Sequence, residues 1–503
     1  MKKSITSLLA LIVAGGLYFN YFYTNSPSEV QGLGFRWFPA SERQVQGHIA
    51  QKDIESGLWT LEQLRIAGWR LFSAQFTYNE GAGRPGATGN QEPTRRPLGT
   101  GESFVRTAGP DSNSCASCHN RPTIGGAGDF ATNVFVGLGS RHPTFKSIDP
   151  EFAAERDTPD MHGAGVIELL AREMTHDLHE VRKNAIMDAR RSNAPRTVDL
   201  ITKSVNFGKI TALPNGEVNL RHIKGVDRDL VVRPWGQKGA VTSLRTFTVS
   251  AANLHHGIQA NERFGLALTG SRDFDRDGYT KELTEGDITA LTLFQATLNI
   301  PGQYLPASVP AQEVVKRGKE HFEASECDSC HRSEMILEDP TYCEPGPYNL
   351  EGTLRSIEIV EPYCVNLATQ IPGPALEKKS DGKYIVRLFS DLRRHVISDS
   401  VRPHFANEVL VEGLIPTDEF ITKRLWAVGS TSPYGHRGDL TLISEAIENH
   451  GGGANSSREK FDSLKPNEKK ALLKYLYSLQ ILPEGSSRVS IRPNVARLPY
   501  SHD

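Results

Sequence analysis

Four stretches of the 503-residue chain carry apolar residues at helical spacing, and they fall into two matching pairs. The opening members are LEQLRIAGWRLFSAQF, from Leu61, and QEVVKRGKEHFEASE, from Gln312. Gly68 aligns with Gly318 and Phe72 with Phe322. The closing members are ELTEGDITALTLFQATLNIP, from Glu282, and SLKPNEKKALLKYLYSLQILP, from Ser463. There Leu283, Ala290, Leu291, Phe294 and Leu298 align with Leu464, Ala471, Leu472, Tyr475 and Leu479, and Pro301 and Pro483 stop the two helices. Between them, Asp160 to Arg191 reads as a further helix, and the Gly-, Pro- and Thr-rich stretch from Asn79 to Arg106 as a long loop. The proline-rich run Pro301 to Pro310 divides the halves.

Composition narrows the class. Hydrophobic content of 38% with 23% charged residues suits a globular protein, and a net charge of −2 gives no basic surplus for binding nucleic acid. The N-terminus is different. Lys2 and Lys3 precede an apolar run from Ile5 to Tyr23, which reads as a cleaved signal peptide or an uncleaved membrane anchor within residues 1–25. Either puts the body in an extracytoplasmic compartment, expected to be the periplasm. There Cys343 and Cys364, flanking a loop of Pro, Gly and Tyr, are candidates for a disulfide, the other option being two buried thiols.

The remaining four cysteines form SCASCHN, with Cys115, Cys118 and His119, and ECDSCHR, with Cys327, Cys330 and His331. C-x-x-C-H is the attachment signature of c-type haem: two thiols bond the porphyrin and the next imidazole ligates its iron. Structural zinc would need further ligands close to each pair, and a thioredoxin-like dithiol would need no histidine. Two covalent haems are therefore expected. Each half then runs helix, haem motif, long middle, closing helix. The expected fold is mainly α: two cytochrome c-like haem domains in tandem, 26–302 and 303–485, with long loops, a helical insertion in the first and a tail over 486–503.

The sixth iron ligand separates an electron carrier from a catalyst. No methionine follows Met335, which lies beside His331 itself, so the candidates for the second iron are His395, His404, His436, His450 and His502. His450 ends a helical stretch before Gly451 to Gly453.

These motifs, with WGQKGAVTSLRTFTVSAANLHHG (235–257), LFSDLRRH (388–395) and SPYGHRGDLTLISEAIENHGG (432–452), resemble the bacterial dihaem cytochrome c peroxidase superfamily. The branch they resemble is that of dihaem oxidoreductases assigned as peroxidases, and the likeness runs from Leu33 to Pro483. It implies that His450 is the sixth ligand of the second iron, where the peroxidases use Met; imidazole there lowers the reduction potential. It implies a reactive first haem, with neither His142 nor His162 closely matching the family's displaceable distal histidine. Glu168 is the candidate distal carboxylate for moving a proton between peroxide oxygens, and Trp235 the candidate electron relay. The bland readings are a surface glutamate and a core tryptophan, and His255 and His256 read as packing residues near the first haem.

A separate stretch, DFDRDGY, spaces Asp273, Asp275 and Asp277 before Gly278 as a calcium loop does, with Thr284 rather than Glu at the twelfth position. The alternative is a solvated acidic turn. The expected function is an exported dihaem oxidoreductase that reacts with peroxide or oxygen at the first haem. It would exchange electrons with a periplasmic redox partner at the second. The rivals are an oxygenase like the dihaem rubber oxygenases and a non-enzymatic electron carrier.

Overall fold

The computed structural model describes residues 44–83, 112–134 and 154–491, apart from positions 46, 129, 130, 276, 484 and 488. The apolar run Ile5 to Tyr23, most of the loop Asn79 to Arg106, and His142 and His502 lie outside the described residues. Among those described, no helix is long and apolar enough to cross a membrane.

The paired helices are present. In the first half α1 (Leu61–Ser73) is opened by a capping box between Thr60 and Gln63. In the second, α6 (Val309–Ala324) is capped by the Ser308 hydroxyl, which accepts from the Ala311 N–H at 3.3 Å. Chain order between them runs through α2 (Cys115–Cys118), β1 (Ala131–Val134), β2 (Ala154–Asp157) and α3 (Ala164–Ser192). Then come β3 (Arg196–Thr202), β4 (Val205–Ala212), β5 (Val218–Ile223), α4 (Leu244–Ala251) and α5 (Glu285–Ala296). After α6 follow β6 (Thr341–Glu344), β7 (Tyr363–Asn366), α7 (Ile443–Glu448) and α8 (Pro466–Ser478).

The aligned residues of the repeat are the ones that touch. A methyl group on Gly68 would overlap the carbonyl oxygen of Ala290 and crowd Phe294. One on Gly318 would overlap the carbonyl of Ala471 and crowd Tyr475. Each glycine lets α1 cross α5, and α6 cross α8, at backbone contact. The aromatic pairs repeat as well: Phe72 stands 5.3 Å from Phe294 and Phe322 5.7 Å from Tyr475, both rings inclined. Burying Phe72 and Phe322 contributes about 2–3 kcal/mol each.

The expectation of a mainly α chain built as two cytochrome c-like domains does not hold. The molecule is mixed α/β, 37% helix and 16% strand, with several small sheets. Most of the strands sit in the long middles; one small sheet instead joins Gly302–Tyr304 to Leu479–Gln480 and Ser490–Ile491. β3–β4–β5 form an antiparallel meander; in β4 Val205 and Phe207 alternate with exposed neighbours, and the phase then shifts by one residue to bury Ile210 and Ala212. β6 and β7 pair antiparallel with Cys343 opposite Cys364, and the two are joined by a disulfide. The β-branched alternation in RTVDLIT and VNFGKITA carries this signal, which the helical repeat beside it overshadowed.

Nor do the halves keep separate cores. One apolar cluster runs from Val45 to Ile481. Trp426 of the second half covers Gly163 and Leu367 covers Gly165, both at the start of α3. Arg156 is ion-paired with Glu408 and with Glu412, the latter at 2.9 Å.

Candidate functional site

Both C-x-x-C-H motifs follow the opening helix of their half, and the same device fixes each histidine. In the first, one helical turn brings the His119 N–H to the Cys115 carbonyl at 2.9 Å. The ring Nδ1–H donates to the Gly126 carbonyl at 3.2 Å. In the second, the His331 N–H reaches the Cys327 carbonyl at 3.0 Å, and its Nδ1–H donates to Phe389 O at 3.2 Å. His450, just past α7, donates from Nδ1 to the Ala446 carbonyl at 2.6 Å. A backbone carbonyl on Nδ1 fixes the tautomer and leaves Nε2 with a free lone pair, the arrangement usual for metal-bound imidazole. Burial lowers the pKa of all three, to about 4 for His119 and His331, so each ring is neutral at ordinary pH.

His331 and His450 face one another across an apolar cavity of about 220 Å³, with ring centroids 6.4 Å apart. An ion about 2 Å from each Nε2 would set the ring centres about 6 Å apart. Cys327, Cys330, Phe405, Trp426, Leu472 and Leu476 also line this cavity. The other candidate histidines among the described residues have acidic partners, although His395 and His436 also line this cavity. His395 bonds Asp391 at 2.7 Å, and that carboxylate outweighs the penalty of burial and lifts its pKa to about 9. His404 lies 3.4 Å from Asp439, and His436 lies 3.2 Å from Glu408 with its ring on Phe420.

The first cavity is smaller, about 40 Å³, and among its described lining residues His119 is the one imidazole. Trp235, Leu244, Phe247 and Met161 line the rest. Trp235 is therefore at the cavity wall. Glu168 is not among the lining residues. It is buried behind Trp235, whose indole N–H donates to its Oε2 at 3.2 Å; the Leu244 N–H donates to the same oxygen at 2.6 Å. Arg172 holds Oε1 at 2.6 and 3.1 Å. The two residues singled out separately in the sequence are thus one hydrogen-bonded pair. His256 is buried beside the first motif, its Nε2 3.4 Å from Cys115 Sγ and its Nδ1–H donating to Ser112 O at 2.7 Å.

The two cavities share a wall made by Pro159, Asp160, Gln237, Thr422, Lys423 and Arg424. Lys423 lines both cavities; the surrounding protein lowers its pKa to about 8, with Arg424 adding repulsion. Lys423 forms no ion pair among the described residues, and Nε of Arg424 and Nε1 of Trp426 are buried without hydrogen-bond partners. Arg424 donates to the Asp160 carbonyl and lies 5.8 Å from the Trp235 ring. Donors facing apolar cavities suit a flat aromatic group with anionic substituents, so the residues present fit haem. The sequence reading did not find this wall, because Lys423 and Arg424 carry no motif and lie far from both cysteine pairs.

Asp273, Asp275 and Asp277 converge, their carboxylate oxygens within 4.8 Å. Thr284 is not part of that cluster: its hydroxyl caps α5 by accepting from the Asp287 N–H at 3.2 Å. The fourth acidic group there is Glu282, whose pKa burial and the three aspartates raise well above its usual value. Burial likewise lifts Asp277 to about 6.

No protein-family profile matches this chain, and no curated protein matches it. Among solved structures, Kuenenia stuttgartiensis hydrazine synthase, studied under xenon pressure, aligns over 89% of this chain and 98% of its own. The identity is 14% and the TM-score 0.29, too low for the likeness to inform fold or chemistry.

Proposed function

We propose that this protein is an exported c-type dihaem oxidoreductase of the dihaem peroxidase kind, reactive at the first site and electron-transferring at the second. The observation that carries the reading is the asymmetry between two otherwise equivalent histidines: His331 faces His450, whereas His119 faces a wall of Trp235, Leu244 and Phe247. When bound, the haems supply the redox chemistry, with peroxide reacting at the first iron and electrons passing through the second.

The protein's own part is to position and to insulate. Cys115 and Cys118, and Cys327 and Cys330, fix the two groups, and His119, His331 and His450 offer neutral Nε2 atoms as ligands. Lys423 and Arg424, on the wall shared by the two cavities, would supply cationic partners for haem carboxylates. Trp235 lies between the first cavity and Glu168, and that carboxylate orients the indole and stabilises positive charge on it. Glu168 thus acts through Trp235. The Asp273, Asp275, Asp277 and Glu282 cluster is the candidate calcium position.

The test is an optical and EPR titration of the ferric protein with hydrogen peroxide, repeated on His450→Ala. A high-spin first site that is consumed rapidly, beside a low-spin second site that turns high-spin in His450→Ala, supports the reading. Two low-spin sites that peroxide bleaches slowly would make the protein an electron carrier instead. A stable oxygen complex at the first site would favour an oxygenase.

A further inference from the structure

Behind the Trp235 wall lies a group of buried ionisable side chains, of which the proposed reaction uses only Glu168. Three carboxyls, Glu168, Glu262 and Glu344, meet two guanidiniums, Arg172 and Arg245. Arg245 donates to Glu262 at 2.5 Å and to Glu344 at 3.0 Å, and Arg245 and Glu344 are both 0% exposed. Arg172 pairs with Glu168, covers the Tyr342 ring at 4.5 Å and donates to the Cys343 carbonyl at 3.1 Å. The Tyr342 hydroxyl lies 3.4 Å from Glu344 Oε2.

The elements packed around Glu344 add no further cation. On α5, the Glu285 backbone oxygen and the Thr289 hydroxyl meet Arg245, while the Glu285 carboxylate accepts from Asn261. Tyr363 stands opposite Glu344 in the β6–β7 ladder. With all five groups ionised, carboxylates exceed guanidiniums by one in a dry interior, which is costly unless a proton is held. Burial lifts Glu344 to about 7, in spite of Arg245, and also raises Glu262.

This set is wired to the first cavity through Glu168, which holds the Trp235 indole N–H. We propose that Glu344 is a proton-binding site coupled to electron arrival at the first cavity. The inference rests on the haem reading. One electron from a one-electron donor reaches the first site, the negative charge it adds favours the neutral acid, and Glu344 takes one proton from solvent. When the electron leaves, the proton returns. Charge in the buried region is conserved at each step, and Tyr342 and Arg245 position the carboxyl without being consumed.

The experiment is a dithionite-driven redox titration of the full protein at several values from about pH 5 to pH 9, with infrared spectra of the same samples. The wild type should show a buried carboxylic-acid band that disappears as pH rises through about 7. The first-site potential should fall with pH over the same range. Glu344→Gln should abolish both, whereas Glu262→Gln, which removes the surplus negative charge, should keep the band but move its disappearance to lower pH. If the potential of Glu344→Gln still follows pH as in the wild type, or the wild type lacks the band, the inference is overturned while the haem reading stands. A protein with no haem absorption overturns that reading, and this inference with it. Should Glu344→Gln fail to fold, Tyr342→Phe keeps the ion pair and must shift the band and its midpoint. A band that Tyr342→Phe leaves unmoved also overturns the proposal.

Discussion

The two halves solve one packing problem alike and one chemical problem differently. In each, a glycine on the opening helix touches the backbone of the closing helix, an aromatic pair flanks the crossing, and a carbonyl pins the motif histidine through Nδ1. Beyond that the surroundings diverge. Helix α5 is buried on every side, from Gly286 to Ala296, because α1, α3, α4 and β6 all pack around it. Helix α8 buries one face only and leaves Lys470 and Lys474 outward. Among the described residues, His119 is the one histidine lining the cavity beside the covered pair, whereas the cavity beside the open pair sets His331 opposite His450, with His395 and His436 also on its wall. The frame is thus duplicated, and what fills the middles decides the chemistry.

Breaking the frame should have the largest effect. Gly68→Val and Gly318→Val drive a side chain into a backbone carbonyl, and each should cost about 3 kcal/mol or more. Urea unfolding measures this. If either variant is as stable as the wild type, the equivalence of the two crossings is wrong. Next comes Arg172→Met, which leaves Glu168 charged and buried without its cation; a loss of about 3 kcal/mol is expected, with Trp235 fluorescence reporting the disturbed indole. Glu168→Gln keeps the shape, so its stability loss should be smaller, about 1–2 kcal/mol.

Acidity sharpens the comparison further. Glu344 has a raised folded pKa, so its contribution is fully present below the unfolded value near 4.5 and is lost as pH rises through about 7. Stability of the wild type should therefore fall across that window relative to Glu344→Gln, by an amount on the order of a few kcal/mol. Asp277 behaves alike up to about pH 6, and calcium should remove that pH dependence. The smallest effect is then a calcium-dependent rise in melting temperature, lost in Asp275→Asn. If calcium leaves the melting curve unchanged, the loop is only an acidic turn.

How far the sequence could be read follows from how local each signal is. Gly68 with Gly318, and Phe294 with Tyr475, were legible because helical spacing repeats within short windows. His450 was legible as a candidate, since few donors remain after Met335, and the structure sets it opposite His331. Strands β3 to β5 were underweighted, being short and lying where no repeat drew attention. The partners of Glu168 were not legible: Trp235 and Leu244 are brought to it only by tertiary packing, 67 and 76 residues away. A glutamate with no visible partner reads as surface or distal base. The same limit hid Lys423 and Arg424.

Trp426 and Leu367 lying over Gly163 and Gly165 also bear on the order in which the molecule is made. A chain emerging N-terminus first presents α3 long before the residues that roof its start. Until some two hundred further residues have followed, the apolar face of that helix and the Arg245 pocket that receives Glu344 stay open to water. The first half is therefore an incomplete object on its own. Its cavity reaches final shape only after the second half arrives, which ties assembly of the surroundings of His119 to completion of the whole chain.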